Sequence, residues 1–204
     1  MNHTSRALTL HRVTYAIFQD HVESGDRGKL IALTSPGARE GVSYVARLLC
    51  RELGSYKMSR VLYCAIESLA HTLITAEGNL EDHCIQEDLG HWTIRATVSE
   101  SVAPKPWDFS PALRKSRLDA LRSHFDYTIL DCPAVTTSSD ILGVTQEVDS
   151  ILLVVGAGMR TRKQIVYAQR LIEEAGGVIT GCILNRRTYP IPDWIYRVLK
   201  GGRS

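Results

Sequence analysis

Short continuous apolar runs alternate with segments of helical period along most of this chain. The first clear run is Leu30–Thr34, and a helical pattern follows in Val42, Val45, Ala46, Leu48 and Leu49, ending near Leu53 at Gly54. Leu30–Thr34 is continuously apolar, as expected of a strand covered on both faces, and Val61–Ile66 reads as a second buried strand; Tyr127–Leu130, Ile151–Val155 and Val178–Leu184 predict further strands, and Trp92–Val98 alternates enough to be another. Between them, Ala112–Phe125, Ile141–Glu147 and Thr161–Ala175 read as helices, the last closed by Gly176-Gly177. Gly78–Leu89 is acidic and reads as a short helix plus loop. Leu8–Val22 carries a helical face ahead of a polar loop, and Pro192–Leu199 predicts a terminal helix with Pro192 in its first turn. Strands alternating with helices predict an α/β fold, a doubly wound, mainly parallel sheet with helices on both faces. We expect a single domain over 1–204, with an N-terminal helix and loop (1–28) before the core (29–204). Ligands of such sheets lie at the carboxyl ends of the strands, so chemistry is expected just after Thr34, Ile66, Leu130, Val155 and Leu184.

The connection after Leu30–Thr34 is the informative one. Strand, Thr-Ser-Pro-Gly turn and helix have the layout of a phosphate-binding loop, whose N–H groups and helix N-terminus face an anion. The motif is G-x-x-x-x-G-K-[ST]. Aligned on Gly41 and Ser43, Pro36 stands for the first glycine, with Gly37 one place later, and Val42 stands for the lysine. Arg39, three residues ahead of Val42, is the one substitute cation in the loop, although Glu40 beside it offers it a partner.

Composition narrows the partners. A length of 204 residues permits a large core without disulfides or metal, and a net charge of +2 gives no ground for expecting nucleic acid. The five cysteines show no C-x-x-C pair and the seven histidines no ligand spacing, so reduced, mostly buried thiols are expected. Neither a signal-like N-terminus nor a run of about 20 apolar residues is evident, which gives a cytoplasmic expectation. Arg114, Lys115, Arg117 and Arg122 form a basic helix face, read by default as solvated. The loop Pro104–Pro111, with Trp107 and Phe109, is the best candidate for a contact-making excursion; these aromatics, like Trp194 and Tyr196, read first as packing residues.

The run FDYTILDCPAV at Phe125–Val135 resembles the strand-plus-aspartate element of the MinD/ParA-like P-loop ATPases, and most of all the bacterial tyrosine kinases (BY-kinases) of capsule and exopolysaccharide export. VDSILLVVGAGMRTRKQI followed by GCILNR is similar to a second element of that family, and the resemblance spans roughly residues 7–200. It implies a P-loop NTPase fold. It implies site roles for Gly37, Gly41, Ser43 and Asn185 toward nucleotide, with Asn185 meeting the base; by their own positions, Arg39 in the loop joins them as a candidate cation and Arg160, just after the ILLVV run at the site-facing edge, as a phosphate or partner contact. Ser43 and Asp131 would hold Mg2+, and Asp131 and Glu67 would stand as vestigial catalytic carboxylates. The family lysine maps to Val42, and the first aspartate of the family's D-x-D to Ala65. Clustered C-terminal tyrosines are missing, with only Tyr189 and Tyr196 near that end, and so is the family's E-x-x-R-x-x-R pattern in the first helix.

The resemblance therefore implies a degenerate member: ATP or ADP with Mg2+ bound weakly or not at all, and a regulatory or adaptor role beside a membrane polysaccharide chain-length or export protein. Peripheral placement at the inner membrane through that partner, and a homo-oligomer, would follow from it. The rival expectations are an active ATPase or tyrosine kinase using Arg39, and a ParA-type positioning ATPase. A flavodoxin-like or dinucleotide-binding fold is weaker, since no G-x-G-x-x-G follows Thr34.

Overall fold

β1 (Lys29–Thr34) runs through the interior of a seven-stranded sheet of order β3-β4-β2-β5-β1-β6-β7. The computed structural model describes residues 28–55, 59–71, 84–87, 90–94 and 111–187. In chain order β1 is followed by α1 (Val42–Gly54), β2 (Val61–Ala65), α2 (Ile66–His71), β3 (Cys84–Gln86) and β4 (His91–Ile94). Then come α3 (Pro111–His124), β5 (Tyr127–Asp131), β6 (Ser150–Gly156), α4 (Arg162–Glu174) and β7 (Ile179–Asn185). Every pairing is parallel except β3 with β4. The expected α/β architecture is thus present.

The continuous apolar character of β1 has a direct cause. Leu30 and Ala32 point into one core cluster, while Ile31 and Leu33 point into another on the opposite face. Leu118 and Leu121 of α3 and Ala168 and Ile172 of α4 cover the first face. Val45, Ala46, Leu49 and Leu53 of α1 cover the second. α4 starts on a capping box, in which the Thr161 hydroxyl accepts from the Gln164 N–H and the Gln164 side chain accepts from the Thr161 N–H.

The strand order fixes where a ligand can sit. From β1 the chain passes over one place to β2, later fills the gap with β5, and then adds β6 on the other side of β1. The carboxyl ends of β1, β2, β5, β6 and β7 consequently share one edge, with the chain diverging to both sides of β1.

Four local expectations change. Residues 84–86, expected within a helix and loop, form an antiparallel edge strand pairing with 92–94 of β4. Ile66 does not end β2 but opens α2, with its side chain fully buried. Ile141–Glu147 is not a helix. Only Ile141–Gly143 makes one 3₁₀ turn, after which the Thr145 hydroxyl donates to Ala175 C=O at 2.8 Å and ties the segment to the end of α4. The basic face of α3 is only partly solvated: Arg117 is 4% exposed, and Arg122 donates to Gly28 C=O at 2.9 Å and Glu147 C=O at 2.6 Å while pairing with Asp149. The expected helices at 8–22 and 192–199, the loop at 104–110, and Trp107, Phe109, Tyr189, Trp194 and Tyr196 lie outside the described residues.

Candidate nucleotide site

The loop from Ser35 to Gly41 joins β1 to α1, and its shape is set by hydrogen bonds rather than by apolar packing. The Ser35 hydroxyl donates to Gly37 C=O at 2.8 Å. Thr34 Oγ1 donates to Pro133 C=O and Thr136 Oγ1 to Pro36 C=O, each at 2.7 Å, so the segment after β5 is lashed to the loop. The N–H groups of Cys132 and Val135 add two more ties, to Leu33 and Ser35 C=O.

Glu40 organises the far side of the loop. It is fully buried, and one carboxylate oxygen accepts from Gly37 N–H at 2.8 Å and Arg160 Nε at 2.9 Å, while the other accepts from Gly156 N–H at 2.6 Å. A buried carboxylate is tolerated only with such full pairing. Arg160 Nη2 also donates to Ala38 C=O at 2.8 Å. A Cβ on Gly37 would lie 2.3 Å from that guanidinium, which explains the glycine there. Arg160 therefore braces the loop from behind instead of lining its pocket. Glu40 pairs with Arg160, not with its neighbour Arg39 as the sequence suggested.

Gly41 closes the loop with φ +89°, and a Cβ on it would meet the Asn185 amide nitrogen at 2.4 Å. That amide donates to Glu40 C=O at 2.8 Å, so Asn185 is engaged with the loop backbone. Gly41 supplies no side-chain cap to α1, and no acidic residue stands in its first turn. The leading N–H groups of this 13-residue helix are left for an outside acceptor, at the positive end of its dipole.

In front of the loop lies a pocket of about 470 Å³, within the usual span of small-molecule sites of roughly 300–1,000 Å³. Arg39, Gly41, Ser43, Glu67 and Asp131, all expected at the site, line it together. Gly37, Arg160 and Asn185 do not; they hold the loop. Ser35, Thr137 and Arg186 also line the pocket and were not anticipated. Arg39 and Arg186 both have left-handed backbone, φ 67° and 55°. That conformation costs a non-glycine residue about 1–2 kcal/mol.

Two positions lack the group that phosphate chemistry would use. Val42 is 9% exposed and packs in the apolar cluster with Ile31, Leu33 and Val45. Ala65, at the carboxyl end of β2, lies in register beside Asp131 of β5. Asp131 Oδ2 instead accepts from the Tyr63 hydroxyl at 2.6 Å. Burial, with the adjoining Asp131 carboxylate, pushes the Tyr63 phenol well up, and the Arg47 guanidinium sits 5.0 Å from the ring centroid. Tyr63 was missed because a tyrosine inside an apolar run reads as core. Its hydroxyl partner is 68 residues away.

The donors present fit a phosphate-bearing ligand: helix N–H groups, two guanidinia, and Ser43 and Asp131 as oxygen donors of the kind Mg2+ takes. They do not supply a lysine at the loop or a carboxylate at position 65.

No protein-family model matches the chain. Tyrosine-protein kinase CpsD of Streptococcus pneumoniae serotype 4 is 31% identical over 188 residues, covering 80% of this chain and 78% of that protein. CpsD of Streptococcus agalactiae serotype III is 26% identical over 177 residues, covering 80% and 76%. Among solved structures, the kinase domain of Escherichia coli tyrosine kinase ETK superposes with a TM-score of 0.68 at 19% identity, over 87% of this chain and 75% of that one. The Pyrococcus furiosus cell division ATPase MinD does so at 0.59 and 18% identity, over 85% and 80%. With its strand order, its phosphate-loop layout and this kinship to CpsD, the chain belongs to the bacterial tyrosine kinases, the BY-kinases of the MinD/ParA-like P-loop superfamily.

Proposed function

We propose that this protein is a degenerate BY-kinase that acts as a regulatory or adaptor component of capsule or exopolysaccharide biosynthesis and export, binding nucleotide weakly and turning it over little or not at all. The observation that carries the reading is Val42, an apolar side chain packed into the core where the family's loop places a lysine. A charge-assisted hydrogen bond to phosphate contributes about 1.5–3 kcal/mol. Its loss weakens binding roughly ten- to a hundredfold at about 1.4 kcal/mol per decade. Removing a transition-state charge stabiliser costs a further factor of about 10²–10³ in rate. Ala65 beside Asp131 compounds the deficit.

Family membership supports a membrane partner of the chain-length or export type and peripheral placement through it. Among the described residues no helix is long and apolar enough to cross a membrane. A calorimetric titration with MgATP, run beside Val42→Lys, tests the reading. The lysine variant should bind at least tenfold tighter than the unmodified protein. Micromolar or tighter binding together with steady phosphate release by the unmodified protein would overturn it.

One observation favours a second reading, an active kinase or ATPase with Arg39 as its cation: Glu40 is taken by Arg160, which leaves Arg39 facing the pocket. That reading requires Arg39→Ala to abolish turnover.

A further inference from the structure

We infer that Arg39 and Arg186 act as a pair that grips the phosphates of a nucleoside polyphosphate over the loop, replacing the absent lysine in binding. The inference rests on the reading above and specifies how the weakened site still holds its ligand. Both residues are exposed and both line the pocket beside Ser43 and Asp131. Among the described residues neither guanidinium has an ion pair or a side-chain hydrogen bond, whereas Arg122 and Arg160 are each bound by a carboxylate.

Their positions are fixed independently. Arg39 sits inside the loop that Glu40 locks from behind. Arg186 directly follows Asn185, which is held by its amide to Glu40 C=O and by its own C=O to Ala157 N–H at 2.8 Å. The Arg186 Nε lies 3.8 Å from where a Cβ on Gly41 would stand, and so reaches over the last residue before α1. One guanidinium thus comes from the loop and the other from the end of β7. The gap both arginines line also holds Ser43, at the start of α1, whose leading N–H groups no side chain caps.

An anion in that gap can take paired N–H donors from each arginine, a geometry suited to phosphate oxygens. A lysine on the first turn of the helix would present a point charge from within the loop. Arg39 in the loop and Arg186 at the end of β7 would instead offer two planar forks from two separate elements.

The test is an equilibrium titration of the whole protein with MgADP, inorganic tripolyphosphate and adenosine, on the unmodified chain, Arg186→Gln, Arg39→Gln and the double variant. Thermal melts check that each exposed substitution leaves the fold intact. MgADP and tripolyphosphate should bind better than adenosine, and each single variant should weaken both by about tenfold, the lower end expected of a charge-assisted contact. Adenosine binding should not move. A polyphosphate affinity unchanged within twofold in Arg186→Gln would overturn the pair, as would adenosine binding as well as MgADP or no MgADP binding at all. Steady phosphate release by the unmodified protein would instead overturn the proposed function and leave the arginine pair standing.

Discussion

Glu40 and Arg160 are 120 residues apart, and their contact decides the shape of the loop. Removing Arg160 leaves a fully buried carboxylate with two amide donors and no countercharge. Breaking such a pair typically costs about 3–5 kcal/mol. The Arg160 side chain is 24% exposed, which puts Arg160→Ala near the lower end, about 3 kcal/mol, measurable as a lowered urea midpoint. A second test concerns Tyr63, whose hydroxyl occupies one oxygen of Asp131. Tyr63→Phe frees that oxygen and should make MgADP affinity more dependent on Mg2+, read by titrating with and without the cation; an unchanged Mg2+ dependence would mean that Asp131 takes no part in metal binding. At this scale the sequence was half legible. Val42 and Ala65 could be recognised as missing groups by identity alone. The engagement of Asn185, Arg160 and Tyr63 could not, because each depends on a partner brought in by the sheet rather than by nearby chain.

Among the elements, α1 and β1 were readable because their periodicity reports burial directly. β1 is covered on both faces, and α1 presents one apolar stripe. The antiparallel strand at 84–86 was not, since three residues carry too little pattern and its pairing with β4 is non-local. Nor was the failure of the helix at 141–147, where Gly143 weakens helical propensity and Thr145 finds its partner on the end of α4. The junction of loop and α1 is the tightest of these connections. Gly41→Ala would force a side chain into φ +89° and against the Asn185 amide. We expect a loss of about 1–3 kcal/mol, the range for strained backbone positions, seen as a fall in the urea midpoint. The conservative swap Asn185→Ala relieves the clash but gives up a hydrogen bond, so the double variant should be less damaged than the sum of the singles.

For the molecule as a whole, the two-faced packing predicts which thiols are reachable. Cys50, Cys64 and Cys132 are buried, and burial raises all three thiols above their ordinary range; Cys84 is half-buried and Cys182 exposed. Alkylation of the native protein should therefore label Cys182 and Cys84 first, and the other three only at the rate of unfolding. Mass spectrometry of the labelled chain reads this directly, and early labelling of Cys50 would contradict the placement of α1 against the sheet. The parallel pairing places the carboxyl ends of six strands at one edge, an edge that strand alternation alone predicts.

Under the proposed function, this edge keeps a phosphate-binding shape without the groups for phosphoryl transfer. Steady-state phosphate release from MgATP by the unmodified protein, with Arg39→Ala alongside, tests it most directly. Release indistinguishable from a protein-free control, and unchanged by Arg39→Ala, is the predicted result. Sustained release that Arg39→Ala abolishes would contradict the account and establish a working enzyme.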